Sequence, residues 1–227
     1  MKKNTFIYTA TVIMLNGMVS CNQGPAGKKI QSSESQDTTS VSAKYEKHQA
    51  DTLASIIEWT GSKPAGEHHG TINVKKGYLL SSHDSITGGE FVINMESIRD
   101  TDLTDPDMNA KLVGHLKSPD FFNVDSFPTA RFVITKAIKT DTLTPVPGGI
   151  APNYLVSGNL TLKDITRNVT FRARVDTSGN KIKARTEKFV IDRSEWNVRY
   201  GSRTFFDNLK DKYVNDEIGI QIKLVAN

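Results

Sequence analysis

Five histidines and one cysteine are the side chains with the most chemistry to offer. His68-His69 and His83-Asp84 could share a metal ion if the segments between them pair as a hairpin. Neighbouring residues of a regular strand point to opposite faces, so His68 and His69 would not both turn to one ion. The remaining histidines, His48 and His115, are scattered. None accompanies a nucleophile motif such as G-x-S-x-G. The expectation is a chain with no catalytic residue, no metal site and no cofactor. A hydrolase or metalloenzyme would need convergent His and carboxylate groups, which this spacing does not supply.

The elements that would position any site begin near Asp51. The chain has 227 residues, 37% hydrophobic and 24% charged, with a formal net charge of +4. It carries no dense Lys/Arg block, so nucleic acid is not an expected partner. A single cysteine excludes an internal disulfide framework and a Cys-based structural zinc site. Lys2-Lys3 followed by the uncharged stretch Thr5–Leu15 reads as a secretory signal over residues 1–20. Met18-Val19-Ser20-Cys21 resembles a bacterial lipobox, which makes Cys21 the lipidation site. A doubly acylated cysteine anchors stably to a bilayer. Residues 21–50 are mostly polar and read as a disordered tether, reaching about 25–30 Å from the membrane. No acidic residue follows Cys21 in Asn22-Gln23-Gly24. By resemblance to other bacterial lipoproteins, that favours the periplasmic face of the outer membrane. The folded domain is expected over 51–227.

From Asp51 onward the hydrophobic pattern has period two. Leu53, Ser55, Ile57 and Trp59 share a face, as do Phe91, Ile93 and Met95, then Ala130, Phe132 and Ile134. Tyr154, Val156, Leu160 and Leu162 follow, then Val169, Phe171, Ala173 and Val175, then Lys181 to Ile191 as one strand, and last Ile218 to Leu224. Lys76-Gly77 and Asp176–Asn180 read as turns. About eight strands, each with one apolar face, must hide those faces in a sandwich or an up-and-down barrel. Asp105 as N-cap, Pro106 at the first helical position, and Met108, Leu112, Val113 and Leu116 at helical spacing predict one short inserted helix that Ser118-Pro119 ends.

Several separated segments then resemble the YceI-like family of bacterial exported proteins. Leu116–Val124 (LKSPDFFNV) is similar to the family's L-x-S-x-D-F-F-D-V, and Phe127–Phe132 (FPTARF) to Y-P-T-A-x-F. Val156–Arg167 (VSGNLTLKDITR) resembles V-x-G-D-L-T-I-K-G-V-T-K, and Ile191–Val198 (IDRSEWNV) resembles I-D-R-x-D-F-G-I with Trp for Phe and Asn for Gly. Ser97–Thr101 and Asp107–Leu112 are looser matches. The resemblance covers about Thr52 to Val225. It implies an all-β, antiparallel eight-stranded lipocalin-like barrel with one short α-helix. It further implies an elongated apolar cavity for a polyisoprenoid or prenyl quinone, a periplasmic location, and the option of a homodimer.

On that reading the ligand wall is Phe91, Ile93, Phe132, Ile134, Leu160, Leu162, Phe171 and Trp196. Phe121 and Phe122 either gate the mouth or pack the helix onto the barrel. Gly158, Ala130 and Ala173 supply small inward positions. Arg193 either contacts a polar head group, since guanidinium suits phosphate and carbonyl oxygens, or clamps the loop near Asp120 or Trp196. Lys163, Arg131, Arg167 and Arg172 fall on outward faces by alternation. An alternative class is a stress-related scaffold whose outer face docks a membrane partner; a large apolar patch outside the barrel would favour it.

Overall fold

Strands with one apolar face bury it here by closing the sheet on itself. The computed structural model describes residues 24–37, 45–145 and 149–227. In chain order the elements are β1 (Lys28–Lys29), β2 (Ser32–Ser33), β3 (Glu46–Gln49), β4 (Ile56–Lys63), β5 (Gly66–Ser82) and β6 (Ser85–Asp100). Helix α1 (Pro106–Lys117) follows, then β7 (Thr129–Lys139), β8 (Tyr154–Leu162), β9 (Ile165–Ser178), β10 (Lys181–Thr186), β11 (Phe189–Asp192) and β12 (Glu217–Ala226). Pairing runs β4-β5-β6-β7-β8-β9-β10-β12 and returns to β4. Every step of that ring is antiparallel. It is a closed eight-stranded barrel, the size at which the interior holds side chains or one small ligand.

Local chemistry explains where the ring bends and turns. The β8–β9 hairpin is closed by Lys163 and Asp164, both at positive φ, between the paired Leu162 and Ile165. Two successive left-handed residues make the two-residue loop whose twist matches the flanking strands. Gly179, at φ 57, serves the β9–β10 turn as expected from Asp176–Asn180. Lys76-Gly77, in contrast, is not a turn: β5 runs straight through it, with a register shift between Val74 and Lys76. Gly77 lies under Phe91, whose Cδ1 stands 2.4 Å from where a Cβ would be. The glycine there answers a packing need, which sequence cannot distinguish from a turn. Residues 181–191 likewise form two strands, because pairing passes from β9 to another partner after Thr186. Leu53 is exposed in the turn before β4 and takes no part in the barrel wall.

The expectation of a free tether over residues 21–50 is corrected for the part that is described. Lys28-Lys29 pairs in parallel with Phe189-Val190, and Ser32-Ser33 pairs antiparallel with Val169-Asn168. The segment therefore inserts between β9 and β11, two strands that are not paired with each other. Ile30 packs against the core, Gln36 exchanges two hydrogen bonds with the Asn159 amide, and Glu34 pairs with Arg167. Glu46–Gln49 adds to the edge of β5. Strand pairing uses backbone groups, so a polar composition does not forbid it. Cys21 and the signal segment 1–20 lie outside the described residues, as do 22–23 and 38–44.

Helix α1 begins as its sequence predicts. The Asp105 carboxylate accepts from the Asp107 and Met108 amides at 3.0 and 2.9 Å, and Pro106 needs no amide partner. None of its residues is fully buried. It lies across one end of the barrel as a cover.

Candidate ligand-binding cavity

The inward side chains leave two spaces along the barrel axis. The inner one, about 90 Å³, is enclosed by Phe91, Ile93, Phe132, Ile134, Phe171 and Ala173 among others. The outer one, about 520 Å³, lies under α1 and is lined by Trp59, Ile72, Ile98, Leu112, Leu116, Phe121, Phe122 and Ile218, with Arg193 and Tyr200 at its edge. Residues of single strands divide between them: Ile57 and Trp59 on β4, Val74 and Ile72 on β5, Ile222 and Ile218 on β12. The two spaces therefore lie end to end.

The inner end is closed by Tyr154, which is buried. Its hydroxyl accepts from the Ile86 amide at 3.3 Å and donates to the Asp84 carbonyl at 3.4 Å, tying β8 to the β5–β6 turn. Aromatic packing shapes the wall beside it. Phe132 and Phe171 stand 5.6 Å apart, and Phe171 stacks on Phe189 at 4.9 Å. Offset and tilted ring contacts of this kind add to the gain from burial alone.

The outer end is a rim of rings and clamped loops. His115 meets Phe121 and Tyr200 edge-on at 5.0 and 4.5 Å, and its Nε2 lies 3.0 Å from the Asp120 carboxylate. Lys163 donates to the carbonyls of Phe121 and Asn197, fastening the post-helix turn to the loop after β11. Burial pulls its ammonium below the usual lysine range. It had been expected on an outward face; alternation ends at Leu162, and the turn redirects it. Of the other basic residues of that reading, Arg131 pairs with Glu90 and Arg167 with Glu34 at the surface, while Arg172 reaches the buried Glu187.

Arg193 is 1% exposed and is the centre of a clamp. Its guanidinium donates to the carbonyls of Val198, Tyr200, Val214 and Asn215 at 2.8–3.1 Å, and Asp216 lies 3.2 Å away. Burial pulls its pKa down, while Asp216 and Asp192 push it back up. With its donors committed to the rim loop, Arg193 holds the mouth in shape. The expected head-group contact gives way to the expected alternative, although the loop it clamps is 198–216. Trp196, fully buried, donates Nε1 to the Leu160 carbonyl at 3.0 Å and plugs the wall between β8 and the loop.

Ten residues were expected to line the cavity. Phe91, Ile93, Phe132, Ile134 and Phe171 border the inner space, and Phe121 and Phe122 the outer one. Leu160, Leu162 and Trp196 pack in the wall and border neither. Gly158 does not leave room for a ligand, because the Phe132 ring fills it: Cζ would be 2.3 Å from an added Cβ. Ala173 does border the inner space. Reasoning from sequence missed Ile72, Ile98, Tyr200 and Val214. The first two lie where bulges disturb alternation, and the last two lie in a loop with no periodicity. Trp59 shared the face of Ile57 in sequence and could have been named; its Nε1 is buried without an acceptor.

One polar cluster stands at the same end. His68 Nδ1 is 2.9 Å from Asp102 Oδ2, and the His69 amide donates to Asp102 Oδ1 at 2.7 Å. Asp100 Oδ1 accepts from the Asp102 and Leu103 amides and from Asn109. His68, Asp100 and Asp102 bring ligand atoms within 4.8 Å of one another and could hold a metal ion. Both histidines approach Asp102, since its loop wraps the strand end. His69 meets Asp102 through its amide, and its ring stands 3.7 Å away, outside the group that could hold an ion. Burial raises the Asp102 pKa, but the His69 amide, the His68 ring and Asp100 outweigh it and hold the carboxyl below its usual range.

Comparison with known proteins follows this architecture. The family described as YceI-like domain matches residues 37–226. UPF0312 protein YE1254 of Yersinia enterocolitica is 36% identical over 89 residues, which is 39% of this chain and 38% of the length of that relative. BcnA of Burkholderia cenocepacia superimposes with a TM-score of 0.55 at 22% identity, over 78% of this chain and 99% of its own. A polyisoprenoid binding domain from Saccharophagus degradans, implicated in plant cell wall breakdown, gives 0.54 at 13% identity, over 79% and 97%. These two share the barrel fold.

Proposed function

Because the chain belongs to the YceI-like family, we propose that its barrel takes up the long apolar chain of a polyisoprenoid lipid or prenyl quinone, without catalysis. The observation that carries this reading is the pair of apolar spaces in series, the wider opening beneath α1. Such a ligand needs few polar contacts. Removing its surface from water yields about 25 cal/mol per Å² before ordering costs. The Saccharophagus degradans domain, named for polyisoprenoid binding, supports the ligand class. The segment Met18–Cys21 supports export and lipid anchoring at Cys21, with the barrel in the periplasm on the outer membrane. There the protein would sequester the molecule or carry it between the membrane and the periplasm.

The test is organic extraction of the purified full chain followed by mass spectrometry. A stoichiometric isoprenoid species is expected. Absence of any extracted lipid, together with no uptake of an added prenyl quinone, overturns the reading.

A further inference from the structure

The loop from Asn197 to Asp216 contains no strand, yet it is firmly rooted. Arg193 holds both of its ends, Asn215 donates to Ser62 at 2.8 Å, and Thr204 donates to Asp216 at 2.9 Å. Ser202 is fully buried at its base. A loop so fixed would ordinarily tuck its aromatic residues inward. Instead Phe206 is 46% and Tyr200 43% exposed, and Arg199, Arg203, Lys210 and Lys212 all stand in solvent.

Charge and ring alternate in space as well as in sequence. Arg199 lies over the rings of Phe205 and Phe206 at 4.6 and 5.8 Å, and Arg203 over Tyr213 at 3.3 Å. Two acids, Asp207 and Asp211, accompany the four bases between residues 199 and 213. Tyr200, Lys212 and Tyr213 also line the outer cavity. The exposed basic and aromatic face therefore adjoins the mouth.

We propose that this rim loop is a docking surface for an anionic bilayer, which brings the mouth of the cavity against the lipid headgroups. Aromatic rings favour the interfacial region, and each nearby basic residue adds attraction to anionic lipid. Snorkelling arginines over ring faces suit a surface that is apolar below and charged above. The inference gives the proposed carrier its route to the membrane but does not depend on what the cavity holds.

The experiment uses the full chain carrying Cys21→Ser, so that no acyl group contributes. It measures co-sedimentation with vesicles of phosphatidylcholine alone and of an equal mixture with phosphatidylglycerol. The parent should bind the anionic vesicles at least about tenfold more tightly. Arg203→Glu with Lys210→Glu should abolish most of that preference, and Phe206→Ser should weaken binding to both vesicles, each with unchanged thermal unfolding. Lys181→Glu with Lys183→Glu, on β10 toward the closed end, makes the same change in net charge and should have little effect. Equal binding by parent and rim variants overturns the proposal, as does an equal loss from the β10 pair. Extraction of bound lipid from the parent tests the cavity separately: lipid held by a parent that shows no preference for anionic vesicles removes this inference and leaves the carrier reading standing.

Discussion

Gly158 shows how a single position sets the shape of the inner space. Its backbone is ordinary, but the Phe132 ring occupies the place of its side chain. Gly158→Ala must push that ring toward the inner cavity, and overpacking of this kind costs about 1–3 kcal/mol. A lowered midpoint of thermal unfolding is expected, restored only in part when Phe132→Leu is combined with it, because the Val133 carbonyl oxygen also stands 2.7 Å from the added Cβ. Asp102 makes a second prediction at this scale. A carboxyl whose folded pKa is depressed contributes stability above its unfolded value, ordinarily 3.8, and loses that contribution as pH falls through the lower folded value. Asp102→Asn should therefore destabilise the protein at pH 5 to 7 by an amount that shrinks steadily below about pH 4. Denaturant midpoints across that range check it; a difference that stays constant in acid would assign the effect to packing instead.

At the scale of elements, the N-terminal strand is the least secured part of the wall. It is held by two two-residue pairings, by Ile30 and by the side-chain contacts of Lys29, Glu34 and Gln36, whereas β5 and β6 run 17 and 16 residues. Short pairings open locally at lower free energy than the long ladders. Ile30→Asp should raise hydrogen exchange in residues 28–33 and at Val190, leaving β5 and β6 protected. Uniform loss of protection would show instead that the segment nucleates the whole barrel. This element also marks what sequence could and could not tell. The regular barrel strands were legible because one face is apolar and the other polar. The helix was legible from Asp105 and Pro106. Residues 28–33 were not, since two lysines and two serines joined by Ile30-Gln31 carry no pattern, and only the slot between β9 and β11 makes them strands. Phe91, Ile93, Phe132, Ile134 and Phe171 were legible from alternation, and Phe121 and Phe122 from their place just after the helix. The rim was not, because Arg193 organises it through carbonyl oxygens that every sequence has.

For the molecule as a whole, the two spaces in series turn length into a criterion for binding. A chain entering beneath α1 fills the outer cavity first and reaches the inner one only if it is long enough to pass Ile72 and Ile218 toward Val74 and Ile222. The inner space is small, so its occupation also requires Phe91, Phe132 and Phe171 to shift within their packed wall. Each additional isoprene unit buried there adds favourable transfer energy, at about 0.8 kcal/mol per methylene, less the cost of that shift. Ala184, half-buried on the inner wall, offers a way to separate the compartments. Ala184→Leu should fill the inner space and leave the outer one open. Short prenyl quinones should then bind as before, while long ones lose affinity by about tenfold, the equivalent of about 1.4 kcal/mol. Titrating a homologous series of quinones against parent and variant reads the effect directly. No loss at any length would mean that the outer cavity alone accommodates the chain, and an equal loss at every length would mean that the two spaces do not fill in sequence.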